Sequence, residues 1–392
     1  MCDDARTPRH KDCNEVVEEI GMPAQRRVLF TFWGRRGAIS QFALDAARTL
    51  IDRPDIAATF SISRQNEAFR DFEAMGIRLL PIDTFSRGPG ALLDLWRVPR
   101  LRRQLAEYVR RERIVAAIEL MPHVWSPLLT PAIQAQGAKY ATIIHDASMH
   151  PGDMTGLVKP LLDVPLRTAD RVFTLSESVA QQLLKTKRVP QERLTTLFHP
   201  DFAYGAPSRT RALPKQQEPF KALFLGRIMP YKGLSLFVDA VERLQKQGLL
   251  IEPHIYGEGS LDVTSSRLAA LGAKVVNRWL AADEIAAALA EAHAVILSHV
   301  EASQSGVAAA AFGAGVPVVS TPVGGLIEQV RDGETGLLAR RVDADSLADA
   351  ISRLINDPAL YQRIAARLQV DSGERSMARF LDRAIASTLN DG

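Results

Sequence analysis

One pattern, written twice, most constrains what this chain can become. Arg26-Arg27-Val28-Leu29-Phe30-Thr31-Phe32 is a short apolar run that leads into a turn holding Gly34 and Gly37. A helix follows whose apolar positions include Phe42, Leu44, Ala47 and Leu50. Residues 221–226 (KALFLG) open a second series of the same kind. An uninterrupted apolar run bounded by a turn marks a strand buried on both faces, and strands alternating with helices predict a covered parallel sheet. Further strands are expected at 57–61, 78–81, 115–120, 140–145 and 171–175, then at 251–256, 273–276, 294–298 and 316–321. Two open sheets of this class bind ligand at the carboxyl ends of their strands, which implies a cleft between domains.

A turn-rich stretch at 199–219 carries four prolines and separates the two series. With 392 residues the chain is long enough for two cores. The expected division is a flexible leader at 1–24, a first domain at 25–200, a linker at 201–219, a second domain at 220–365 and closing helices at 366–392. Helices are expected from 344 onward, broken at Asp357-Pro358 and near Ser372-Gly373, with one crossing back to the first domain.

No apolar run reaches the roughly 18 to 20 residues that cross a bilayer, and the first residues lack the order of a secretory signal. The only cysteines, Cys2 and Cys13, have no second pair to make a zinc site. A reducing cytoplasm is the expected location. Residues 25–200 carry 25 Lys and Arg against 17 Asp and Glu, whereas 201–392 carry 20 against 22. The basic excess therefore lies in the first half, read either as scattered solvation or as a surface held near anionic lipid.

The strongest local signal is Gly226-Arg227-Ile228-Met229-Pro230-Tyr231-Lys232-Gly233, directly after an apolar run. Glycine lets backbone N–H groups approach a diphosphate, and two cations beside the same turn match its charge. The plainer reading is a strand-to-helix turn with two surface cations. The second signal is His299-Val300-Glu301-Ala302-Ser303-Gln304-Ser305-Gly306-Val307, which leads into an alanine-rich helix. Glu301 can accept sugar or ribose hydroxyls, and Ser305-Gly306 at a helix start offers N–H groups to a phosphate. The plainer reading of Glu301 alone is an ordinary loop or capping residue.

Together these residues resemble glycosyltransferase family 4, over roughly 26–385. The resemblance rests on Gly226-Arg227 with Lys232-Gly233, on Tyr256-Gly257-Glu258-Gly259, on 301–317, on Val323-Gly324-Gly325-Leu326-Ile327-Glu328 and on 332–338. It implies the α/β GT-B fold, two Rossmann-like domains facing across a cleft, and a retaining hexosyltransferase that needs no metal or other cofactor. By this resemblance Arg227 and Lys232 stabilise the departing diphosphate of a UDP- or GDP-linked sugar, Glu301 holds the donor sugar, and Ser305, Gly306 and Val307 line the phosphate site. Gly226, Gly233, Gly257 and Gly259 shape the donor loops. The Glu-Ala-Ser-Gln-Ser-Gly-Val loop looks like that of a subgroup with one inserted residue. The family's second glutamate is missing: its place falls on Ala309 or Ala310, and Glu328 is the candidate to compensate at the ribose.

In the first domain, His145-Asp146 ends a strand and resembles the family's His-Asp pair, with His145 contacting the transferred sugar or the acceptor. His150 and Asp153 are candidates for acceptor contact, Gly34 and Gly37 resemble the family's first glycine loop, and Ser176-Glu177 fits its pattern or is a helix cap. The implied partners are a nucleotide-sugar donor, a glycan or lipid-linked acceptor and an anionic membrane surface, with no nucleic acid. Arg97 to Arg113 holds seven arginines against two glutamates, with Leu101, Leu105 and Tyr108 on one helical face. It is a surface helix, or the basic face of a membrane-bound enzyme of surface-glycan or lipopolysaccharide assembly. A nucleotide-sugar 2-epimerase, a phosphorylase and a non-catalytic sugar-nucleotide binder share this architecture and stay open. A nicotinamide dehydrogenase is disfavoured, because no strand is followed by Gly-x-Gly-x-x-Gly.

Overall fold

The computed structural model describes residues 25–86, 90–147, 159–202, 204, 211–215, 217–261 and 264–390. The expected leader, His150 and Asp153 lie outside these residues. The first sheet has seven parallel strands: β1 Arg26–Phe32, β2 Ile56–Ser63, β3 Arg78–Ile82, β4 Ala116–Glu119, β5 Lys139–Ile144, β6 Arg171–Thr174 and β7 Leu194–Thr196. They lie in the order β3-β2-β1-β4-β5-β6-β7. The second sheet has six: β8 Phe220–Leu225, β9 Ile251–Tyr256, β10 Lys274–Val276, β11 Ala294–Leu297, β12 Val318–Ser320 and β13 Gly336–Leu338. Their order is β10-β9-β8-β11-β12-β13. The chain is thus a doubly wound two-domain α/β protein of GT-B architecture.

The strands form where helices can cover both faces. Val28, Leu29 and Phe30 are fully buried, as are Ala222 and Leu223 of β8. The nine expected strands beyond the two openings all occur, shifted by a residue or two at their ends. Two more, β7 and β13, were not expected. Each has three residues at a sheet edge, too short to show a period.

Each sheet reverses its winding direction once, between β1 and β4 in the first and between β8 and β11 in the second. At such a point the loops from neighbouring strands diverge to opposite faces and leave a crevice at the strands' carboxyl ends. The loops after β1 and β8 open these two crevices, which puts both glycine turns of the repeated pattern beside them.

Three helices close the chain, Ala344–Asn356, Pro358–Val370 and Met377–Leu389. Asp357 separates the first two and caps the second by accepting the Leu360 N–H at 2.9 Å. The last packs on the first domain: Phe380 meets Phe42 at 5.3 Å between ring centroids, and Asp382 pairs with Arg53 at 2.9 Å. Phe202 also packs against Phe42, at 6.1 Å, so one apolar cluster runs through the junction. Arg211 anchors the far end of the linker by donating to the carbonyls of Leu289, Ala290, Ala292 and Ala314 at helix ends.

Candidate active site

The turn after β8 is built from close backbone approaches. Gly226 has φ 103° and Gly233 has φ 65°, both in the region that suits glycine. A Cβ on Gly257 would lie 1.9 Å from the Gly226 carbonyl oxygen, and one on Gly259 would lie 2.2 Å from that of Ile228. A Cβ on Gly226 would stand 3.3 Å from Val307 and 3.8 Å from the Lys232 Nζ. Glycine at these places lets the loops after β8 and β9 stack while the start of the Gly306–Gly313 helix closes in beside them.

Lys232 is turned inward, and its ammonium donates to His299 Nε2 at 3.3 Å. Burial pushes this lysine down to about 8; the nearby Arg227 charge adds to the shift and the Asp146 carboxylate opposes it. Asp146 follows β5 of the first domain, so its field reaches Lys232 across the cleft. Arg227 and Glu301 are exposed at the same edge, on the loops after β8 and β11.

Ser305 caps the Gly306–Gly313 helix, its Oγ accepting the Ala308 N–H at 3.3 Å. Its own N–H goes to Gln329 Oε1 at 2.9 Å. The first-turn N–H groups that face the crevice therefore belong to Gly306 and Val307. Gly306 also abuts the first domain, where a Cβ on it would stand 3.2 Å from the Cβ of Ala38.

On the first-domain side, His145 is buried and donates from Nε2 to the Leu120 carbonyl at 2.8 Å. That bond fixes the tautomer and leaves Nδ1 as an acceptor. Burial holds the ring's pKa below the ordinary histidine value, with the Leu120 bond and Asp146 acting against it. In the glycine loop, Gly37 has φ 112° and gives its N–H to Glu67 Oε1 at 2.8 Å, while the Gly34 carbonyl accepts Asn66 Nδ2 at 2.8 Å.

Gly226, Arg227, Lys232, Gly233, Gly257, Gly259, Glu301, Ser305, Gly306 and Val307 thus lie on the loops at the carboxyl ends of β8, β9 and β11, where Gly306 abuts Ala38 and the Asp146 charge reaches Lys232, while Gly34, Gly37, His145 and Asp146 lie on the loops after β1 and β5. Glu328 has a different place. Both its carboxylate oxygens accept backbone N–H groups of the other domain, Glu177 at 2.6 Å and Ser178 at 2.8 Å. Four participants carried no sequence signal of their own. His299 touches Lys232 from inside a motif read for its glutamate. Trp279, after β10, donates to Glu67 Oε2 at 3.1 Å, and Arg36 stacks on its ring at 4.8 Å. Only the facing of the two domains brings Trp279, Glu67 and Arg36 together.

Residues 219–357 match the family model described as glycosyl transferases group 1. The chain is 27% identical over 268 residues to 2-deoxystreptamine glucosyltransferase of Streptomyces kanamyceticus, covering 62% of this chain and 68% of that one. It spans about half the length of several other curated relatives it matches. A glycosyltransferase from Rickettsia africae superposes with TM-score 0.70 at 13% identity, covering 94% of this chain and 100% of that one. Anabaena HepE, solved in complex with UDP and glucose, superposes with TM-score 0.68 at 17% identity, covering 93% and 99%. Residues 219–357 thus resemble group 1 glycosyl transferases, and the two domains together have the GT-B fold of the solved glycosyltransferases.

Proposed function

We propose that the chain is a retaining, metal-independent hexosyltransferase that takes its sugar from a UDP- or GDP-linked donor and passes it to a glycan or lipid-linked acceptor. The observation that carries this reading is the Lys232 ammonium, turned inward after β8 onto His299 and beside the start of the Gly306–Gly313 helix. HepE, with the same fold, is described with UDP and glucose, which supports a sugar nucleotide as donor.

In this reading the bond between the anomeric carbon and the diphosphate oxygen breaks, and negative charge grows on the β-phosphate. Arg227, Lys232 and the N–H groups of Gly306 and Val307 meet that charge, as a divalent cation does in other transferases. Glu301 holds donor hydroxyls, and His145 accepts a sugar hydroxyl at Nδ1. The acceptor oxygen attacks the face that the diphosphate leaves, and its proton passes to the departing phosphate. A buried ammonium needs no reorganisation when the charge appears, which is why its placement favours catalysis over mere binding. The basic first domain fits an acceptor held at the inner face of a membrane, as in surface-polysaccharide or lipopolysaccharide assembly.

The test begins with a panel of nucleotide sugars ranked by thermal shift, since a ligand that binds only the folded state raises its stability. The best donor is then used for transfer in excess EDTA, with the product anomer determined. Retention of configuration without metal is expected; inversion, or activity restored only by manganese or magnesium, refutes the mechanism.

A further inference from the structure

The helix Val98–Arg111 buries Val98, Leu101, Leu105 and Val109 against the first sheet. Tyr108 is only half-buried and its hydroxyl pairs with Thr59 Oγ1 at 3.0 Å. The helix leaves a groove of about 960 Å³ between itself and the edge strand β3. Arg64, Trp96, Arg97, Arg100, Arg103 and Arg111 line it. Among the described residues, only two acids, Asp83 and Glu107, share the lining. Asp83 faces Arg64 at 3.7 Å, and Arg97 is held by Asp94 at 3.3 Å. Arg100 and Arg103 are exposed and have no ion pair among the described residues. Arg102 does not belong to the groove, because its guanidinium donates to the Leu128 carbonyl at 2.8 Å.

Next to the groove stands an apolar crest. Leu92, Leu93 and Trp96 are 74%, 75% and 71% exposed, on the short turns Gly90–Leu93 and Leu95–Arg97 that lead into the helix. Trp125 Nε1 donates to the Ala91 carbonyl at 2.8 Å, so the crest is pinned to the body of the domain rather than loose. Three large apolar side chains this exposed, together and beside uncompensated guanidiniums, are costly in water. They are favourable at a bilayer interface, where leucine and tryptophan enter the headgroup boundary and arginine forks bind phosphate.

We propose that the crest and the groove are one docking surface for an anionic phospholipid bilayer, with the guanidiniums of Arg100 and Arg103 on headgroup phosphates and Leu92, Leu93 and Trp96 in the interface. This deepens, and for the lipid-linked acceptor rests on, the transfer reading above. The placement suits that acceptor. Arg64 and Trp96 sit near the carboxyl ends of β2 and β3, the same edge from which His145 follows β5. Four strand spacings, about 19 Å, separate β3 from β5 along the sheet. A lipid-anchored sugar at the crest is then within one glycan chain of the cleft.

The experiment uses the full chain with vesicles of phosphatidylcholine alone or mixed with phosphatidylglycerol. Wild type should co-sediment with the anionic vesicles, less so at high salt, and Trp96 emission should shift to the blue; Trp96→Phe should bind with most of that shift gone. Arg100→Glu/Arg103→Glu should lower the bound fraction by about tenfold or more, since each basic residue near the surface contributes roughly 1 kcal/mol. Leu92→Asp/Leu93→Asp should release the protein even at low salt, with an unchanged melting temperature to show that the fold is intact. Equal binding by wild type and both double variants overturns the proposal, as does failure to bind phosphatidylglycerol. Displacement by millimolar inorganic phosphate does so too, by marking a site for free phosphate. Thermal shift by nucleotide sugar, measured on the same variants, keeps the two readings apart: its loss in wild type defeats the transfer reading and leaves the docking surface standing.

Discussion

The Glu328 carboxylate of the second domain accepts the backbone N–H of Glu177 in the first at 2.6 Å, and that of Ser178 at 2.8 Å. These are first-turn groups of the helix Glu177–Lys185, where the helix dipole favours a negative charge. Ser176 Oγ donates to the Ser303 carbonyl at 3.0 Å alongside, so the contact ties the two domains across the cleft. Glu328→Ala should shift the equilibrium toward an open form. The pair is exposed, and a contribution of about 1 kcal/mol corresponds to roughly a fivefold change in the closed population. A raised KM for donor together with a larger radius of gyration in solution scattering is the expected outcome. A variant with wild-type values for both would show that the clasp does not govern closure.

Lys232 should give the enzyme an alkaline limit. Burial, with Arg227 second, holds its pKa down to about 8, whereas an exposed lysine titrates near roughly 10.4. Because the diphosphate requires the charged form, kcat/KM for the donor should fall as pH rises through about 8. The stability effect runs the other way. Below that pH the folded state bears the full cost of a buried cation, and the cost fades as pH rises toward the unfolded value. Lys232→Met should therefore melt higher than wild type at pH near 7 while losing on the order of 100-fold in turnover. A donor kcat/KM that stays flat to about pH 10 would dismiss the assignment of Lys232 to the diphosphate.

Gly313 holds the linker in place by lacking a side chain. A Cβ there would lie 1.8 Å from the Phe202 carbonyl oxygen, and the Phe202 N–H donates to the Ala309 carbonyl at 3.2 Å. Neither backbone can yield without displacing Phe202 from Phe42. Gly313→Ala should cost about 1 to 3 kcal/mol, as overpacking in a filled interior does. Gly373→Ala, with nothing within 4 Å of its Cβ, serves as the control. Equal melting temperatures for the two variants would mean that the linker is softer than this packing implies.

By itself the sequence determined the two α/β domains, because a strand buried on both faces must be an apolar run and a covering helix must carry a 3.6-residue period. Val28–Phe30 and Leu223–Leu225 are legible for that reason, and β7 and β13 are not. Gly226, Lys232, Ser305 and Gly306 were legible as a group because glycine turns and helix starts are local chemistry, fixed within a few residues of each other. Tertiary structure alone decided the rest. That Glu328 meets Glu177, that Trp279 meets Glu67, and that Leu92, Leu93 and Trp96 stand uncovered beside Arg100 and Arg103 depends on how two rigid bodies face one another and on which surfaces remain outside. Such contacts join residues up to 212 positions apart, and no local period or spacing encodes a distance of that kind.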